Sequence, residues 1–144
     1  MKKILIINGP NLNMLAIREP AVYGSRTYDD LCTYIKEFAD KNGAEVEFFQ
    51  SNCEGEICTV IQKTLGKFDG IVMNPGAYAH YSYAIHDALK SVTTPCVEVH
   101  ISDIHTREEF RRTSVTAPAC KAMISGLGFD SYIKGMEMLL NDES

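Results

Sequence analysis

Apolar runs of strand length alternate five times with stretches whose apolar residues recur at helical spacing, and few folds satisfy that alternation. Lys3–Asn8 is a near-continuous apolar run, the pattern of a strand covered on both faces. Tyr28, Leu31, Cys32, Ile35, Phe38 and Ala39 follow at helical spacing, and Gly43 closes that helix. Glu45–Gln50 reads as a second strand, and Ser51-x-x-Glu54 as a capping box opening a helix that buries Ile57, Ile61 and Leu65. Asp69–Met73 is a third strand, and Ala84, Ile85, Ala88, Leu89 and Val92 mark a third helix, ended before Pro95. Cys96–Ile101 is the fourth strand, and Thr106-x-x-Glu109 is expected to cap a short helix. Lys121–Ser125 is a weaker fifth strand, and Phe129, Tyr132, Ile133, Met136, Leu139 and Leu140 form the last helical face. Short βα links pair strands in parallel with right-handed crossovers. The expected fold is α/β, a flavodoxin-like, doubly wound, five-stranded parallel sheet in a three-layer α/β/α arrangement, whose strand order the sequence does not reveal. At 144 residues, the whole chain, 1–144, is expected to be one domain with a sizeable core.

Three of the strand-like runs end in polar chemistry: KILIING-PNLN, GIVMN-PGAYAH and CVEVH-ISDIHTREEF. An open parallel sheet aligns the carboxyl ends of its strands along one edge, where ligands bind. Asn11, Asn13, Asn74 and His80 would then share a crevice with Glu98, His100, Ser102, Arg107 and Arg111. The net charge of -5 argues against a nucleic-acid binder, which needs a basic stripe, but leaves room for a small anion held by local arginines. The apolar segment Ile4–Ile7 is too short for a signal peptide or a membrane span. Cys32, Cys53, Cys58, Cys96 and Cys120 are odd in number and lack CxxC spacing, which fits reduced thiols in a cytoplasmic protein. Cys53 and Cys58 could be imagined ligating a metal with His80 or His100, but zinc sites use tighter cysteine pairs. The five are read as small hydrophobes or bystanders, with no metal expected.

Each candidate has a plainer alternative. Pro10–Gly24 is long for a βα link, as active-site lids are, and carries Arg18 and Tyr23. A tyrosine is a poor base at its ordinary pKa of about 10, but a neighbouring guanidinium favours the phenolate. The alternative is a surface loop with one stacked tyrosine. Asn74–His80 follows the third strand, where Pro75 and Gly76 shape a tight turn; it could equally be only a turn. Glu98 and His100 lie two apart on one strand and project from one face. A carboxylate beside imidazole raises its pKa and fixes its tautomer, as a general acid requires, or the two form a satisfied structural pair. The turn at Ile101–Ser102, near a helix start, is a ready anion site. Arg107 and Arg111, four apart on one helical face, could fork onto a carboxylate or pair with Glu108 and Glu109. No GxGxxG follows the first strand and no GxxxxGK[ST] occurs, so a nucleotide would lack its phosphate cradle.

In this order the blocks NGPNLN at Asn8–Asn13, REP at Arg18–Pro20, YG at Tyr23–Gly24, QSN and EGE around Cys53, NPGAY at Asn74–Tyr78, VEVH at Val97–His100 and REEFR at Arg107–Arg111 closely resemble the type II 3-dehydroquinate dehydratases. The resemblance spans essentially the whole chain. It implies elimination of water from 3-dehydroquinate to give 3-dehydroshikimate, without cofactor, Schiff base or metal. By that similarity Tyr23 removes the proton beside the ketone and Arg18 holds Tyr23 as phenolate. The enolate would be stabilised through a water near Asn11 and the backbones of Pro10 and Ala77, with Gly76 in the same turn. His100, oriented by Glu98, would protonate the departing hydroxyl. Asn74, His80, Arg111 and the backbone of Ile101 and Ser102 would hold the substrate's carboxylate and hydroxyls, and Arg107 would order the lid. Asp87 would reach a neighbouring subunit's site, since the resemblance implies a homo-oligomer, a dodecamer built from trimers. The step serves aromatic biosynthesis by the shikimate pathway and quinate breakdown alike.

Three positions depart from the expected pattern. Ala16 stands where glycine is usual, and is expected to stiffen the lid turn or exclude positive φ. Cys53 stands for histidine after QSN, and Asp103 for asparagine after Ser102, adding a charge near the anion clamp. The rivals are a receiver or flavin-binding module of the same α/β pattern, and a family member that keeps the assembly but not turnover. A receiver would place aspartates where this chain has asparagines.

Overall fold

The computed structural model describes residues 1–17 and 25–141. Five strands, β1 (Lys3–Asn8), β2 (Glu45–Gln50), β3 (Gly70–Asn74), β4 (Cys96–His100) and β5 (Ala122–Ser125), form one sheet in the order β2-β1-β3-β4-β5. Every pairing is parallel. Among the described residues four helices, α1 (Tyr28–Lys41), α2 (Glu54–Gln62), α3 (Tyr83–Lys90) and α4 (Asp130–Leu140), complete the three layers. Side chains alternate across β1: Ile4 and Ile6 join α1 and α4 residues such as Ile35 and Met136, while Leu5 and Ile7 join Ile57, Ile61 and Ile85 of α2 and α3. Both faces of the central strands are therefore sealed, each fully buried isoleucine contributing about 1.5–3 kcal/mol. This is the flavodoxin-like α/β sheet that the alternation predicts.

The differences are local. β3 runs from Gly70 to Asn74, β4 ends at His100, and β5 starts at Ala122, each a residue from the expected bounds. Ser51 does not cap α2. The N-cap is Cys53, because the Ser51 hydroxyl turns back to accept from the Cys53 N–H (2.9 Å) and donates to Glu56. The Glu54 carboxylate accepts instead from Ser82, the N-cap of α3. The capping box lies at the start of α1, where Thr27 and Asp30 each accept from the other's N–H. α2 ends at Gln62, so Leu65 escapes its buried face and is 52% exposed, while Thr64 is buried. Ala84 likewise faces outward on α3. No helix follows Thr106: residues 104–111 form two short 3-10 turns, and the Asp103 carboxylate caps the first by accepting from the His105 N–H (3.0 Å).

Two glycines let the loops after β1 and β3 interlock. Gly9 donates its N–H to the Asn74 carbonyl at 2.8 Å, and a Cβ on Gly9 would lie 2.4 Å from the Pro75 carbonyl oxygen. Gly76 adopts φ +61 against the Pro10 carbonyl. Ala16 adopts φ +74, so alanine there does not exclude the left-handed turn but holds it under strain. Gly9→Ala should therefore lose about 1–3 kcal/mol of stability in urea unfolding, since the clash is with backbone that cannot step aside. Ala16→Gly should gain up to about 1 kcal/mol in the same measurement, relief of left-handed strain outweighing the added freedom of the unfolded chain.

Candidate active site

The strand order reverses direction between β1 and β3, and a cleft open at its mouth lies beyond their carboxyl ends. Crevices at such a switch point are where open parallel sheets bind ligands. The cleft is lined by Asn11 after β1, by Asn74, Gly76, Ala77 and His80 after β3, and by His100, Ile101, Ser102, Arg107 and Arg111 at and after β4. The sheet thus brings together ten of the residues singled out from sequence. Asn13 is exposed and does not line it. Among the described lining residues none is acidic, although the protein as a whole carries -5.

A row of amides crosses the carboxyl ends of three strands, and of these Asn74 lines the cleft. Gln50, Asn8 and Asn74 are register partners across β2, β1 and β3. Asn8 and Asn74 are buried, and the hydroxyl of Tyr132 on α4 joins them, donating to Asn8 Oδ1 at 2.6 Å and accepting from Asn74 Nδ2 at 3.0 Å. Burial pushes the Tyr132 phenol above its ordinary range, so it stays protonated and keeps both bonds. Asn74 Oδ1 in turn accepts from the Gly76 N–H at 3.1 Å, shaping the following turn. Asn11 is left-handed, φ 69, with its N–H donated to Asn52 Oδ1 at 3.0 Å. Gln50 Nε2 donates to the same Asn52 oxygen and to the Gly9 carbonyl. The Asn11 side chain is thereby aimed by a braced backbone rather than by packing.

Glu98 and His100 face the same side of β4, as their spacing requires. Glu98 is fully buried, and His100 Nε2 lies 2.8 Å from its Oε2. The carboxylate also accepts from Ser114 Oγ at 2.6 Å and from the Thr116 hydroxyl. An imidazole donating Nε2–H to a carboxylate presents Nδ1 on its other edge. The His80 ring lies 6.5 Å away, centroid to centroid, with Nδ1–H donated to the Thr113 carbonyl at 2.9 Å, leaving Nε2 as an acceptor. Burial lowers the His80 pKa, only partly opposed by that bond, and the charges of His100 and Arg111 lower it further. His80 is therefore held neutral.

Arg107 and Arg111 do not share a helical face, yet the two 3-10 turns deliver both to the cleft, with side chains 11% and 19% exposed. Arg107 donates to Ser102 Oγ at 3.1 Å and Arg111 to Glu108 at 2.6 Å, so part of the salt-bridge alternative holds as well. The charge of Asp103 is turned into its own cap and does not line the cleft. Asp87 is exposed on α3 and outside the cleft. Arg18 and Tyr23 lie outside the described residues. Among the described residues no cluster of His, Cys, Asp and Glu could hold a metal ion, and no helix is long and apolar enough to cross a membrane. Cys53 is exposed and Cys96 buried.

Sequence reasoning gave no site role to Tyr132, Ser114 or Thr116. A phenol hydroxyl in an otherwise apolar buried face was the one available signal for the first. The other two sit in an irregular stretch without periodicity.

The sequence profile of the family described as Dehydroquinase class II matches residues 2–140. A 3-dehydroquinate dehydratase of Clostridium acetobutylicum is 60% identical over 139 residues, which cover 96% of each chain. The crystal structure of the type II dehydroquinase from Butyrivibrio crossotus superposes with a TM-score of 0.94 at 52% identity, over 96% of this chain and 97% of that one. That of the type II dehydroquinase from Propionibacterium acnes gives 0.95 at 41% identity, over 99% and 98%. With a matched profile along nearly its whole length and a shared fold, the chain belongs to the class II dehydroquinase family.

Proposed function

We propose that this protein is a 3-dehydroquinate dehydratase acting as one catalytic domain, and that its own groups carry the reaction without a cofactor. The observation that carries the reading is a cleft on an acidic protein lined by two arginines, two histidines and the amides of Asn11 and Asn74, with no described acidic side chain in its wall. That wall suits a small, polyhydroxylated carboxylate. Arg111 and the backbone at Ile101–Ser102 bind the carboxylate, and Asn74 and the neutral His80 take hydroxyls, Nε2 of His80 accepting. Arg107, tied to Ser102, orders the covering loop.

In the reaction Tyr23, kept as phenolate by Arg18, takes the proton on the carbon next to the ketone. The C–H electrons move into the carbonyl, giving an enolate whose oxygen is met by donors near Asn11 and the Ala77 backbone. One such donor contributes about 2.7–4 kcal/mol when placed where charge develops. The enolate then collapses, the C–O bond breaks, and His100 delivers a proton to the departing hydroxyl, releasing water and the conjugated enone. Glu98 steadies the ring. Asp87 reaches the cleft of a neighbouring copy in a dodecamer of trimers, and the protein works in the cytoplasm.

The test is ultraviolet absorbance of the enone on mixing protein with 3-dehydroquinate, repeated with EDTA and after borohydride with substrate. Absorbance should rise at the same rate in all three; no rise from folded protein would leave only a binding module. Tyr23→Phe should abolish turnover with assembly intact by sedimentation, and near-normal turnover would remove it as the base. His100→Asn should lower kcat by roughly 10²–10⁴, the usual worth of a general acid. Arg111→Ala should act mainly on KM, raising it about tenfold or more, because a bond to substrate carboxylate persists from ground to transition state.

A further inference from the structure

One short strap fixes both site histidines. Residues 113–116 leave the second 3-10 turn and are stitched to the segment after β3: the Val115 N–H donates to the Ala79 carbonyl at 2.7 Å, and the Val115 carbonyl accepts from His86 Nδ1 at 2.8 Å. The Thr113 carbonyl holds His80. Ser114 and Thr116 turn the other way and donate to opposite oxygens of Glu98. Ser114 Oγ also accepts from the Ala117 N–H at 3.0 Å, which orients its own proton toward the carboxylate. Neither hydroxyl lines the cleft, so neither touches a ligand there.

We infer that Ser114 and Thr116 are positioning residues for proton donation by His100: their hydroxyls hold Glu98 as an oriented carboxylate. This rests on the reading of His100 as the acid. A buried carboxylate that lacks donors competes with the ring for the shared proton. Once the proton moves onto Glu98, the Nδ1–H facing the leaving hydroxyl belongs to a neutral imidazole, a much weaker acid. The same donors keep the carboxylate from swinging, and hence the ring from turning. The other titratable groups around the pair are His80 and Arg111 at the cleft, Arg107 beyond them, and Cys96 at the start of β4. The hydrogen bonds to Glu98 come from His100, Ser114 and Thr116.

The experiment compares Thr116→Val with Thr116→Ser, and Ser114→Ala with Ser114→Thr, in the assembled enzyme across a full pH profile. Loss of either hydroxyl should lower kcat about tenfold, the worth of one hydrogen bond to a charged group, with KM for 3-dehydroquinate within about twofold. The alkaline limb of kcat should move to higher pH, because a carboxylate with fewer donors makes the pair hold its proton more tightly. The hydroxyl-keeping variants should restore both. An unchanged kcat and limb, a change in KM alone, or a loss that Thr116→Ser and Ser114→Thr fail to restore would each overturn the inference. Should Thr116→Val not fold, Ser114→Ala reads the same split. His100→Asn is measured alongside: if it keeps near-normal kcat, the acid reading itself falls, whereas its collapse beside unaffected hydroxyl variants refutes the strap alone.

Discussion

A carboxylate without solvent governs the arrangement of this site. Glu98 sits at 0% exposure on β4, with Met73 of β3 and Met123 of β5 as its register partners. Removing a carboxylate from water costs several kcal/mol, and an apolar sheet returns none of it. Three donors converge on it, two hydroxyls and one imidazole, each worth about 1.5–3 kcal/mol to a charged acceptor. The irregular path of residues 113–116 serves this need by presenting two hydroxyls to the middle of β4. The pose of His100 follows as well.

Electrostatic selection at the cleft is local. Surface charges separated from the cleft by more than the Debye length of about 8 Å are largely screened, while partly buried guanidinium groups are not. The acidic surface therefore does little to repel a small anion, and Arg107 and Arg111 dominate where it would bind. Glu108, the partner of Arg111, has its carboxyl held below the usual range by that arginine, so it stays ionised and keeps the guanidinium in place. Binding a carboxylate would exchange one partner for another rather than unmask an idle charge.

The strands and their carboxyl-end chemistry were legible because parallel sheets leave a strong signature: sealed strands are apolar throughout and their ends are not. β1 and β2 have the bounds read from sequence, and Glu98 and His100 share a face because a two-residue period allows nothing else. Strand order was invisible, since crossovers carry no label, yet it decides that the β1 and β3 loops meet. Local rules failed where another partner outbid the expected one. Ser51 fitted a capping box but had Glu56 to bind, and Thr106 looked like a cap because REEFR has helical residues, though the arginines are drawn to the cleft. Tyr132, Ser114 and Thr116 escaped notice because each works through another side chain, and no pattern in one strand or helix records a partner elsewhere in the chain.

The amides at the ends of β1 and β3 are a choice of charge as much as of shape. Asn74 is held by Tyr132 and holds the Gly76 turn, using donor and acceptor at once. Aspartate there would forfeit the donation to Tyr132 and put a negative charge in the wall where the proposed enolate would form. Two like charges about 4 Å apart at the effective dielectric of a protein surface repel by roughly 4 kcal/mol. That is as large as the gain from a well-placed oxyanion donor. A receiver-like acidic cluster and the proposed enolate chemistry would thus be mutually exclusive uses of the same sheet edge. The asparagines decide which of the two this fold can support.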